Sequence, residues 1–158
     1  MANISPVKNY LAVPEAKEIN KKIEVSSFYI GKYLFGIDIL LVQEINPYME
    51  LTPVPHAPFH IRGVMNLRGQ IVTVIDMREV LSLEKIDLTH DHRNIIIESE
   101  GEWVGLLVDS ISDVVEINPK FLEPPPRVRG MDVRFIKGVY KLQKELLMIL
   151  DIYEVMKV

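Results

Sequence analysis

The feature that most constrains this chain of 158 residues is that it repeats itself. Arg62 to Leu81 (RGVMNLRGQIVTVIDMREVL) aligns without a gap on Lys137 to Met156 (KGVYKLQKELLMILDIYEVM), with Gly63/Gly138, Val64/Val139, Leu67/Leu142, Asp76/Asp151, Glu79/Glu154 and Val80/Val155 identical. Upstream, Glu44-Ile45-Asn46-Pro47 recurs as Glu116-Ile117-Asn118-Pro119, and Phe35-Gly36-Ile37 is echoed more loosely by Val104-Gly105-Leu106. The echoes keep their order, so the chain reads as two related halves, about 26–83 and 93–158. Two copies are too few for a solenoid. A length near 150 residues buries about 70 % of the unfolded surface. The expectation is therefore one domain over 25–158 made of two pseudo-repeated lobes, with a partly disordered arm over 1–24 and a polar linker over 84–92.

Each half is a series of short runs rich in Ile, Val and Leu, punctuated by Gly, Pro and Asn, which predicts an all-β protein of sandwich or small-barrel type. The expected strands are Phe28 to Ile30, Ile37 to Val42, Gln70 to Ile75, Asn94 to Glu98, Trp103 to Val108, Val114 to Ile117 and Glu145 to Leu150. Between Leu67 and Gln70, Arg68-Gly69 suits a two-residue hairpin turn, because glycine takes the positive φ that primed turns require. Asp76 and Asp151 each precede an apolar pair at helical spacing, which predicts a short Asp-capped helix closing each half.

Composition removes several classes of function. The net charge of −4 and a pI near 5.6 give no general attraction to nucleic acid, leaving Arg127, Arg129, Arg134 and Lys137 as the one local basic stretch. Without cysteine there is no disulfide, thiolate metal site or cysteine nucleophile, as expected of a cytoplasmic protein. The N-terminus lacks the apolar core of a signal peptide, and no apolar run approaches the roughly 20 residues that span a bilayer. There is no phosphate-binding glycine loop and no nucleophile elbow. His56 and His60 sit among prolines, and His90 and His92 lack convergent ligands, so no metal or other cofactor is expected. Asp109 and Asp113 are the carboxylates a small Asp/His enzyme would use, a reading set against the commoner task of capping turns.

The repeat itself sorts residues. Positions kept in both copies, such as Asp76/Asp151 and Gly63/Gly138, are expected to serve the fold, as a cap and a tight turn. Arg68-Gly69 occurs only in the first copy, where the second has Gln143-Lys144. A guanidinium on a hairpin tip forks readily onto a carboxylate, in this chain or on a partner. Apolar residues such as Leu40, Leu41, Ile45, Met49, Met65 and Ile71 exceed what one small barrel encloses, so part of them is expected to form a groove or edge for a partner.

Asn66-Leu67-Arg68-Gly69-Gln70 through Asp76, with Phe35-Gly36-Ile37-Asp38, Val42-Gln43-Glu44-Ile45, Val104 to Asp109 and the Gly138 and Asp151 segments, resembles the CheW-like domain over about residues 24–158. Thr73 stands where that family often has proline. The resemblance implies two SH3-like five-stranded barrels packed on a shared hydrophobic core. It also implies a stand-alone, non-catalytic chemotaxis adaptor. Its expected partners are the regulatory domain of the histidine kinase CheA and the cytoplasmic tip of methyl-accepting chemoreceptors, which would recruit it to membrane arrays. Carried over by motif, Val42, Glu44, Asn66, Arg68 and Gly69 fall on partner-binding surface, with Glu44 and Arg68 expected to pair. Val108 is expected to line a groove between the barrels. The alternative within the same class is a scaffold in another receptor–kinase pathway such as surface motility.

Overall fold

A computed structural model describes residues 21–158; the expectation of an N-terminal arm falls largely outside the described residues. Among the described residues ten strands are joined by tight turns and three longer connections: β1 (Ile23–Ile30), β2 (Tyr33–Asp38), β3 (Val42–Pro47), β4 (Ile61–Leu67), β5 (Gln70–Asp76), β6 (Arg93–Ser99), β7 (Glu102–Val108), β8 (Ser110–Ile117), β9 (Ile136–Lys141) and β10 (Leu146–Leu150). Two single-turn helices, α1 (Met77–Val80) and α2 (Ile152–Val155), follow β5 and β10. Each is capped as the repeat predicts: Asp76 accepts from the Arg78 amide and Asp151 from the Glu154 amide. The predicted strand Ile37 to Val42 does not form as one piece. Asp38 ends β2 by accepting the Leu40 amide at 3.0 Å, and a 3₁₀ turn, Ile39–Leu41, intervenes before β3. Most of β2, β3 beyond Val42, β4 and β9 fall outside the expected strands; in β3, β4 and β9 polar residues and Gly63, Gly138 or Tyr140 interrupt the apolar runs.

The strands form two five-stranded sheets, ordered β8-β1-β2-β10-β9 and β3-β6-β7-β5-β4. These orders are equivalent under the internal repeat, yet neither sheet comes from one sequence half. The lobe boundaries expected at 26–83 and 93–158 are therefore corrected: β1–β2 joins β8–β10 in lobe A, and β3–β5 joins β6–β7 in lobe B. The joints explain the exchange. In lobe B, β3 flanks β6 and runs parallel to β7, since both are antiparallel to β6. For β8 to take that place after β7, the chain would first have to retrace the seven residues of β7, about 20 Å, and only Asp109 lies between the two strands. One residue carries the chain onward into lobe A instead. The three residues Ile39–Leu41 likewise carry β3 into lobe B.

Each sheet is closed on itself. Past β3 the chain bends so that Thr52 and Val64 exchange backbone hydrogen bonds of 2.9 and 2.8 Å, and Glu123 and Val139 do the same in lobe A at 2.9 Å each way. Gly63 and Gly138 sit beside these bridges and not in a tight turn as expected. At Gly63, with φ +150°, a Cβ would lie 2.6 Å from the Thr52 carbonyl oxygen. The echo of Leu51-Thr52-Pro53 by Leu122-Glu123-Pro124 marks the same closure.

Most central strands are buried on both faces. Val25, Leu34, Ile117, Leu147 and Ile149 fill lobe A; Met65, Val72, Val74, Ile96 and Leu107 fill lobe B. The opposite faces, including Phe28, Phe35, Ile95, Ile97, Leu106 and Met148, meet in a larger core shared by the lobes. Continuous runs such as Asn-Ile-Ile-Ile in β6 are what a strand with two apolar faces requires. The linker expected over 84–92 is not wholly polar surface, since Leu88 packs on lobe B and His92 is buried.

Candidate functional site

At the β4–β5 tip, Arg68 (φ +51°) and Gly69 (φ +84°) form the two-residue primed turn that the sequence predicts. Asn66 Oδ1 accepts the Gly69 amide at 2.9 Å, which holds the turn without help from the core. The Arg68 guanidinium pairs with the carboxylate of Glu44 on β3. The side chain of Arg68 is 67 % exposed and that of Glu44 22 %, so the acid is the anchored partner and the arginine faces solvent.

Glu44 and Val42 part company at a β-bulge. Val42 pairs with Ile97 and packs on the shared core, whereas Glu44 pairs with Ile96 on the lobe B face, because Gln43 is an extra residue in the ladder. Apolar residues close to these positions along the chain, or paired with them across the hairpin, are left open to solvent. Leu40 is 84 % exposed and Ile71, paired across the hairpin with Asn66, is 63 % exposed. Leu41 and Ile45 flank Val42 and Glu44 along the chain and are also exposed. The structure thus brings Glu44, Asn66, Arg68 and Gly69 to one end of lobe B. Val108 does not belong with them. At 1 % exposure it lies in the shared core, because β7 buries both faces, and it cannot touch a partner directly.

A polar cluster that the sequence reading did not assemble lies where the lobes meet. Asp109, the joint between β7 and β8, accepts both Nε and Nη2 of Arg78, from α1, at 3.1 and 2.5 Å, and the amide of Gly31, from the β1–β2 turn of lobe A, at 2.7 Å. Burial pushes the Asp109 carboxyl upward, but the Arg78 and Gly31 donors outweigh it and hold the group below the usual carboxylate range. The Arg78 side chain also donates to the Glu84 carbonyl at 2.6 Å. His92 Nδ1 accepts the Thr89 amide at 3.0 Å, which leaves Nε2 to carry the proton, 3.4 Å from Asp109 Oδ1. The signal for this cluster was present in the repeat: Arg78 is matched by Tyr153. Asp109 is thus an anchored anion, the opposite of the raised carboxyl a general acid needs. Among the described residues no three His, Asp or Glu side chains come together as a metal site. An open depression of about 520 Å³ adjoins the cluster, lined by Ile86, His92, Arg93, Asp109 and Ile111.

Residues 24–158 match the family model of the CheW-like domain. The chain belongs to the CheW-like family. Among its relatives, a probable chemotaxis protein CheW of Rhizobium etli is 30 % identical over 130 residues, covering 82 % of this chain and 84 % of the relative. The chemotaxis protein CheW of Bacillus subtilis is 32 % identical over 85 % of this chain and 86 % of its own. Among solved structures, the scaffolding protein TtCheW from Thermoanaerobacter tengcongensis superposes with a TM-score of 0.75 at 33 % identity, covering 83 % of this chain and 85 % of that one. The CheW-like fold accounts for the paired five-stranded sheets as two SH3-like barrels. The family's proteins are scaffolds and adaptors, and the site described above has the make-up of a binding surface: an oriented charge, a rigid turn and open apolar side chains. No helix among the described residues is long and apolar enough to cross a membrane.

Proposed function

We propose that this chemotaxis coupling adaptor joins the regulatory domain of the histidine kinase CheA to the cytoplasmic tips of methyl-accepting chemoreceptors, making and breaking no covalent bond itself. The observation that carries the reading is the Arg68–Glu44 pair on a pre-set turn, with Ile45 next to Glu44 in the chain and Ile71 across the hairpin from Asn66 both exposed. Fixing the guanidinium before a partner arrives lowers the ordering cost of binding, and the apolar side chains supply area that a lone salt bridge lacks. Val42 acts from behind, where it seats β3 on the shared core. Contact with receptors would hold the chain at the cytoplasmic face of a membrane array. Receptor control of the kinase then amounts to a coupling free energy of about 1–3 kcal/mol between the two interfaces.

The test is the autophosphorylation rate of the cognate kinase with its receptor, with and without the chain. A large rise that needs all three components, and that is lost with Arg68→Glu in a variant that stays folded, supports coupling. No rise with confirmed partners would reject it. The pairing of Glu44 with Arg68 is tested separately by exchanging the charges: Glu44→Arg with Arg68→Glu should recover binding that each single change impairs. No recovery would show that each charge acts on the partner alone.

A further inference from the structure

The segment from Pro124 to Lys137, which runs from the β8–β9 connection into the start of β9, holds four cations and one anion, a net of +3 in a chain of net −4, so the rest of the molecule carries −7. It is an anchored loop. Val128 packs on the shared core and Met131 is 8 % exposed within it. The Met131 amide closes a turn onto the Val128 carbonyl at 3.1 Å, with Gly130 at φ +79°, and the Asp132 amide donates to the Leu81 carbonyl of lobe B at 2.8 Å. With Val128 turned inward, its neighbours Arg127 and Arg129 are exposed. Among the described residues neither has an anionic side chain within ion-pair distance. Arg134 is shared with Asp132 at 3.0 Å and stacks on Phe135 at 4.8 Å. Lys137 borders a depression that it shares with Asp38 and Asp151. Among the described residues Arg127, Arg129 and Lys137 are therefore the cations of this segment outside any ion pair, and Arg127 and Arg129 stand together on either side of Val128. The matching loop of lobe B, Pro53 to His60, has no arginine or lysine, so the fold does not demand these charges.

We infer that the Arg127–Arg129 loop is a docking surface for a short acidic segment of a partner protein. Arg127 and Arg129 flank Val128, which is anchored on the shared core, so their backbone is held in place and the guanidiniums can fork onto carboxylates. The size of the patch selects the partner. A nucleic-acid duplex or an anionic membrane extends well beyond two arginines and would meet the remaining −7 of the surface, whereas a peptide of a few carboxylates fits within the patch. The apolar residues of the turn, Val128 and Met131, point into the core and are not free to insert into lipid. The surface is separate from the Glu44–Arg68 end and does not depend on the identity of the kinase or receptor.

The test follows the amide spectrum of the isotope-labelled full chain during titration with decaglutamate, with decaglutamine as the neutral control. Shifts should centre on 124–137 and weaken as salt is added. Affinity should fall on the order of tenfold in Arg127→Glu/Arg129→Glu, a loss of two charge-assisted contacts. It should change by less than about twofold in Lys32→Glu/Lys144→Glu, which alters net charge equally and elsewhere. An equal loss in both double variants, shifts of the same size with decaglutamine, or shifts spread over the whole surface would overturn the inference. So would binding of the loop at lower concentration to a single-stranded oligonucleotide, or to phosphatidylcholine vesicles carrying a quarter phosphatidylglycerol.

Discussion

Two arginines unique to the first repeat have opposite fates, decided by what surrounds each guanidinium. Arg68 meets Glu44 at the surface, where solvent screens the pair, so its contribution to stability is about 0–1 kcal/mol. Arg68→Glu should leave the melting temperature nearly unchanged while abolishing kinase coupling; a large drop in stability would mean the arginine serves the fold. Arg78 is 13 % exposed and its partner Asp109 18 %. Because the Asp109 carboxyl is held below its ordinary value, the unfolded chain takes up its proton first as pH falls. The stabilisation is present above the unfolded value of about 4 and is lost as pH drops through the lower folded value. Asp109→Asn should cost about 2 kcal/mol at pH 7 in chemical denaturation, and the cost should shrink as both proteins are acidified. An unchanged difference at low pH would place the effect in packing and not in charge.

The elements follow from local chemistry with few exceptions. The Asp caps, the Arg68-Gly69 turn and the runs of β5, β6, β7 and β10 are legible in the sequence because each depends on near neighbours. What escaped, besides strands whose apolar runs are interrupted, is the close approach of backbones from distant segments. Gly63 reads as a turn glycine, yet it makes room for Thr52 to bridge β4. Since a Cβ would stand 2.6 Å from the Thr52 oxygen at Gly63 and 3.0 Å from the Glu123 oxygen at Gly138, Gly63→Ala should be the more damaging change. The positive φ at Gly63 adds strain, and about 2–4 kcal/mol is expected there against about 1–2 for Gly138→Ala. Thermal melts of the two variants settle the order, and equal costs would show that the backbone yields at both bridges.

At the scale of the whole molecule, the two lobes are built by exchange between the sequence halves. A break in the loop over 84–91 should therefore yield two fragments that are each largely unstructured, because each takes one part of both barrels and forfeits the shared core. Mixed in equal amounts they should recover the strand signal in circular dichroism; a fragment that folds alone would contradict the exchanged topology. The sequence by itself determined that there would be two equivalent halves with a closing helix each, several of their strands and the Arg68 hairpin, and the family motifs in it pointed to a coupling protein. It did not determine which strands share a barrel. Equivalent copies offer β3 and β8 the same pairing surfaces in either lobe, and local pattern cannot rank them. Only the tertiary structure decides, because joints of one and three residues are too short to lead the chain back, and because the three-way contact of Asp109 with Arg78, Gly31 and His92 exists only once the lobes have met.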